Sequence, residues 1–123
     1  ARRLVDVCPR GGFNIRLSKC GGLLPSLKLA ALARRHNQLI QLGCMVGETS
    51  LLARVGLQFL EVCPHVTWAE GCFGTRLLAH DLTSHSLLFG YGGCPPKWKS
   101  QPLMLRVGSL EECLLITPKT HHL

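Results

Sequence analysis

The stretch FNIRLSKCGG, residues 13–22, decides how this chain is read. Apolar and polar residues alternate from Phe13 to Ser18, the period of a half-buried strand. Two cations, Arg16 and Lys19, lead into the pair Gly21-Gly22, which ends the strand and permits a tight turn. Side chains alternate across a strand, so Arg16 and Ser18 share a face, while Lys19 points the other way or lies in the loop.

Working outward, LLPSLKLAALARRHN (residues 23–37) predicts a helix. Pro25 suits a first helical turn. Leu24, Leu27 and Ala31 fall on one face at helical spacing, with Ala30 beside them. Arg34, Arg35 and His36 gather in the last turn, where cations are favoured, and Asn37 suits a C-terminal cap. QLIQLGCMV (residues 38–46) is almost continuously apolar, as in a parallel strand buried on both faces. Gly47 to Ser50 reads as a turn with helix-capping residues. Leu51 to Val62 reads as a second helix with Leu52, Val55, Phe59 and Val62 on one stripe, and Pro64 stops it. HVTWAE (residues 65–70) predicts a third strand.

Strand, helix, strand, helix, strand with short connections is the signature of right-handed βαβ units on a parallel sheet. Residues 1–71 therefore form a βαβαβ portion, with residues 1–7 reading as the tail of an earlier element, broken by Pro9 and Gly11-Gly12. Residues 72–123 lack helical periodicity. Gly74, Gly90, Gly92, Gly93 and Pro95-Pro96 break them into an irregular tail wrapped on a partner surface, with Leu87-Leu88-Phe89 and Leu103 to Val107 as short strands.

The composition narrows the function. A chain of 123 residues is one modest domain, but 46% hydrophobic and only 17% charged residues is a low charge content for a freely soluble one. Such a chain buries most of its length and suits one segment of a larger protein. The formal net charge is +7. Its cations are dispersed (Arg2-Arg3, Arg34-Arg35, Lys97-Trp98-Lys99), with no arginine-rich run, zinc-finger spacing or RNP-like aromatic strand. That argues against nucleic acid and leaves a small basic nucleic-acid-binding protein as the lesser alternative. Seven irregularly spaced cysteines without a CxxC pair argue against a zinc ribbon and for a reduced, cytoplasmic setting. No run of about 18 apolar residues suggests a membrane span. No P-loop, GxGxxG, HExxH or GxSxG occurs, and Gly90-Tyr91-Gly92-Gly93 lacks the helix that a phosphate cradle needs.

In a parallel α/β barrel the functional groups sit at the C-terminal ends of the strands. The first strand here ends at Arg16, Ser18 and Lys19, the second at Glu48 and Thr49, the third at Trp68 and Glu70. Each has a plainer alternative. Arg16 pairs with a neighbouring carboxylate, Lys19 is a solvated loop cation, Glu48 caps the second helix, and Glu70 decorates a turn. His80 and His85 read as solvated, and Asp81 as a turn residue.

With these residues in view, NIRLSKCGG resembles the sixth barrel strand of enolase-superfamily enzymes of the mandelate racemase and muconate-lactonizing type. Their pattern there is asparagine, apolar, lysine, then a lysine or arginine before two glycines. LLPSLKLAALARRHN resembles the sixth helix, GCMVGETSLLA the seventh strand and the start of its helix, and VTWAEG the acidic end of the eighth strand. The resemblance covers residues 5 to 71 and extends thinly to about 110. It implies the C-terminal part of a modified (β/α)7β TIM barrel, strands six to eight, packed against the remainder of the barrel and a capping domain. The parent would use magnesium to assist proton abstraction next to a carboxylate, as in epimerases, cycloisomerases and o-succinylbenzoate synthases. The metal ligands, on strands three to five, and a Lys-x-Lys base, on strand two, would lie outside this chain. By the same resemblance Arg16 and Lys19 are the catalytic candidates, and Glu48, Trp68 and Glu70 the substrate-binding ones. Arg16 stands where relatives carry a lysine base. An arginine stays protonated, so its implied role is to hold a carboxylate or stabilise an enolate. A small carboxylate is the implied substrate, a homo-oligomer is compatible with the family, and the isolated chain is expected to be inactive. A non-catalytic barrel remnant that keeps the fold as a structural partner is the other alternative.

Overall fold

The computed structural model describes residues 1–71 and 74–89. Its elements, in chain order, are α1 (Arg2–Val7), β1 (Gly12–Arg16), α2 (Leu17–Cys20), α3 (Leu23–Arg35), β2 (Leu39–Gly43), α4 (Ser50–Val62), β3 (Trp68–Ala69) and α5 (Gly74–Leu77). The three strands form one parallel sheet in the order β1-β2-β3. This is the mixed α/β arrangement expected from the alternation of strand and helix. The chain divides into two compact units, residues 1–44 with 55–71, and residues 45–54 with the chain from 72 onward.

In the first unit the sheet is amphipathic. Ile15, Ile40 and Leu42 are buried on one face, Ile15 and Ile40 completely. Each such side chain contributes about 2 kcal/mol of burial. Strands in sequential order with right-handed crossovers place both connecting helices on one side of the sheet. Accordingly, α3 packs on β1 and β2, and a β-carbon on Gly56 of α4 would stand 3.7 Å from the Leu42 side chain.

Helix α3 turns a different stripe inward from the one its leucines suggest. Ser26, Ala30 and Ala33 are fully buried, whereas Leu24 is 70% exposed and Ala31 is exposed too. Small residues let the helix backbone approach the sheet closely, and the Ser26 hydroxyl is satisfied by donating to the Gly22 carbonyl at 2.7 Å. The helix ends as its sequence predicts. Asn37 adopts φ 51°, Gln38 N–H donates to Ala33 O at 2.9 Å, and Asn37 N–H donates to Arg34 O at 3.2 Å, the paired bonds of a Schellman cap. Gln38, itself buried, donates through Nε2 to Cys8 O and Pro9 O at 3.0 Å each, tying the loop before β1 to the start of β2.

Other boundaries move for identifiable reasons. Residues 2–7 form a helix, α1, with Val5 buried. The first strand stops at Arg16, because Leu17–Cys20 closes a helical turn onto Gly21, whose φ of 86° suits only glycine well. Ser18 therefore lies outside the strand and does not share the Arg16 face in strand register. The second strand stops at Gly43. Beyond it, Met45 N–H donates to Glu48 Oε1 at 2.8 Å and Glu48 N–H to Met45 O at 3.2 Å, a closed turn that takes these amides out of the ladder. The third strand shrinks to two residues, with Val66 N–H turned back onto Cys63 O. Of the stripe expected on α4, Phe59 is fully buried but Val62 is 63% exposed.

The second unit is described for residues 45–54 and 74–89. Its centre is Asp81, which is buried. The carboxylate accepts Ser50 N–H at 3.2 Å, the Ser50 hydroxyl, and Thr83 N–H at 3.2 Å. Ser50 Oγ in turn accepts Leu87 N–H at 2.6 Å, and Leu87 is fully buried. Leu87 to Phe89 adopts no strand. Leu103 to Val107, the Gly90 to Gly93 cluster and Lys97-Trp98-Lys99 lie outside the described residues.

Candidate functional site

The face of the sheet opposite α3 and α4 carries its polar groups in two rows. Register pairs Asn14 with Gln41 and Gln41 with Trp68. Two residues further along, Arg16 pairs with Gly43, and one step beyond Leu42–Ala69 the same register brings Glu70 opposite Gly43. Because strand side chains alternate, all six positions share the open face. The row nearer the C-terminal ends thus reads cation, glycine, anion. Arg16 and Glu70 stand about 10 Å apart, two strand spacings.

The amides of the first row lean into the second. The Asn14 side-chain oxygen occupies the place a β-carbon on Gly43 would take, and Arg16 Cγ lies 3.2 Å from that same point. Gly43 is therefore the residue that lets Asn14 and Arg16 crowd over β2. On the other flank Gln41 Nε2 donates to Glu70 Oε1. Arg16 is half-buried, and its Nε is shielded from solvent without a hydrogen-bond partner among the described residues. A guanidinium in that condition is poised for an anion, since an unpaired buried donor costs roughly 1–3 kcal/mol. Trp68, 56% exposed, stands two residues before Glu70, so an aromatic surface borders the charged row at its acidic end.

Of the residues singled out from sequence, Arg16, Trp68 and Glu70 come together on this face. Lys19 does not sit on the strand. It lies in the last turn of α2, exposed, beyond the Leu17 helical start. Glu48 belongs to the second unit, where its carboxylate holds Met45 N–H; the acceptor at the start of α4 is Asp81. Asp81 does make the expected turn contact with Thr83, but it also reaches Ser50. His80 and His85 are exposed, as expected. Asn14 and Gln41 are not among the residues that strand ends single out. The signal that finds them is the period of two: each lies two residues before a member of the charged row.

Among the described residues no group of three or more His, Cys, Asp or Glu side chains could hold a metal. Among the described residues the open face offers one carboxylate, two amides and a cation, a donor set that does not by itself fit a magnesium site. Cys8, Cys20 and Cys63 are free thiols, and burial pushes the Cys63 thiol above its ordinary pKa. Among the described residues no helix is long and apolar enough to cross a membrane. Compared with protein-family profiles, with curated proteins and with solved structures, the chain gives no match.

Proposed function

We propose that this chain is the C-terminal portion of an enolase-superfamily barrel, its sixth to eighth strands, in an enzyme that abstracts a proton next to a substrate carboxylate. The observation that carries the reading is the open face. A parallel sheet in sequential order, covered among the described residues by helices on one side only, needs its other side enclosed, and in a barrel that side is the interior. Here it is polar and charged toward the C-terminal ends of the strands, where barrel enzymes keep their chemistry.

In this reading Arg16 holds the substrate carboxylate or the enolate oxygen that develops as the proton leaves. Its fixed positive charge serves there, and its high pKa makes it a poor base. Glu70 and Trp68 line the substrate pocket. Lys19 and Glu48 enter on sequence position alone. Magnesium and the abstracting base would be supplied by strands outside these residues.

The test is exchange of the α-proton of carboxylic acids in heavy water, followed by proton NMR with magnesium present. A protein that joins these residues to the remaining barrel strands is expected to wash out the α-proton of at least one acid. The 123 residues alone are expected to wash out none. Magnesium-dependent turnover by the isolated chain would overturn the reading of it as a portion of the site.

A further inference from the structure

The bond between Gln41 and Glu70 joins two residues of different strands on the open face, one of them without any assigned role. Gln41 stands at the centre of the face, one row behind Glu70 and one strand across from it. A carboxylate at the exposed end of a two-residue strand has little else to orient it, since Glu70 is bound to the sheet by its backbone N–H to Leu42 O at 2.8 Å and by the Gln41 amide. The Gln41 amide uses a donor on one carboxylate oxygen. That leaves the second oxygen of Glu70 and the carbonyl oxygen of Gln41, both acceptors, against one further N–H of the Gln41 amide.

We propose that Gln41 is a positioning residue for Glu70 and, through it, a determinant of which acids the open face accepts. This rests on the reading of that face as substrate-facing. With Arg16 on the first strand for the carboxylate, the far end of the ligand meets a fixed acceptor edge on the third. The acids favoured are those carrying hydrogen-bond donors, such as a terminal amide, about two strand spacings from the carboxylate. Acids with an apolar far end leave that edge desolvated and unpaired.

The experiment is calorimetric titration of the intact protein with two matched ligands, an ω-carbamoyl carboxylate and the methyl-ketone acid of the same length, which lacks the two N–H donors. The unsubstituted protein is expected to prefer the carbamoyl acid by about tenfold, the scale of a hydrogen bond to a charged group. In Gln41→Met, similar in volume but without the donor, the ratio of the two dissociation constants is expected to fall to near one. In Gln41→Asn, which draws the amide back by one methylene, it is expected to fall as well. A purely structural role would weaken both ligands together and leave the ratio alone. A ratio unchanged in both variants overturns the proposal while the reading of the face stands. Binding of both acids that survives Arg16→Met, or no binding of either by the unsubstituted protein, overturns that reading and the proposal with it.

Discussion

The side-chain oxygen of Asn14 lies over Gly43, in the space a β-carbon there would fill. Neighbouring strands thus interlock through an amide and a missing side chain, and the Arg16 stem shares the same space. Gly43→Ala is expected to displace both side chains and lower the unfolding free energy by about 1–3 kcal/mol, the usual cost of overpacking. Urea denaturation measures it. A change under about 0.5 kcal/mol would mean the two side chains move aside freely.

Asp81 gathers donors from both sides of a long chain separation. Asp81→Ala leaves Ser50 N–H, the Ser50 hydroxyl and Thr83 N–H without their acceptor. The expected loss is about 2 kcal/mol, with faster amide exchange at Ser50 and Thr83 than elsewhere. Uniform exchange across the chain would contradict the local role.

Asn37 takes a left-handed conformation that glycine adopts without strain. Asn37→Gly is expected to hold or raise stability by a few tenths of a kcal/mol, and Asn37→Val to lower it by about 1 kcal/mol. Thermal melts of the pair separate the two outcomes. Equal melting temperatures would place the helix end elsewhere.

Cys63 is buried and its thiol pKa is raised by desolvation, so folding favours the protonated form. The stability this contributes is complete below the ordinary thiol pKa of about 8.5. It declines as pH rises through the higher folded value, because the unfolded thiol ionises first. Unfolding monitored from pH 7 to about 10.5 should therefore show a smaller high-pH loss in Cys63→Ala than in the unsubstituted chain, after correction for their difference at pH 7. Thiol alkylation at pH 8 should label the exposed Cys8 well before Cys63.

Much of the fold was legible because its signals are local. The end of α3 at Asn37, the parallel strand at Leu39 to Gly43 and the helix ahead of Pro64 each follow from residues within a few positions. What sequence missed depends on distant partners. The third strand is shorter than its sequence pattern because Val66 N–H turns back onto Cys63 O instead of joining the ladder, and Asp81 finds Ser50 across 31 positions. Helical spacing alone selects Leu24, Leu27 and Ala31 with Ala30 beside them, whereas close contact with a sheet selects Ser26, Ala30 and Ala33. In the site, Arg16, Trp68 and Glu70 were legible as strand ends. Gln41 and Asn14 required the register, since only pairing shows that they stand beside the charged row.

The account stands most directly on Arg16. Magnesium-dependent α-proton exchange should be measured in the intact protein and in Arg16→Met, with circular dichroism confirming equal folding. The account predicts exchange in the first and a loss of about a hundredfold in the second, the scale of removing one charge-stabilising donor. Undiminished exchange in Arg16→Met, or no exchange from any carboxylic acid in the intact protein, would contradict it.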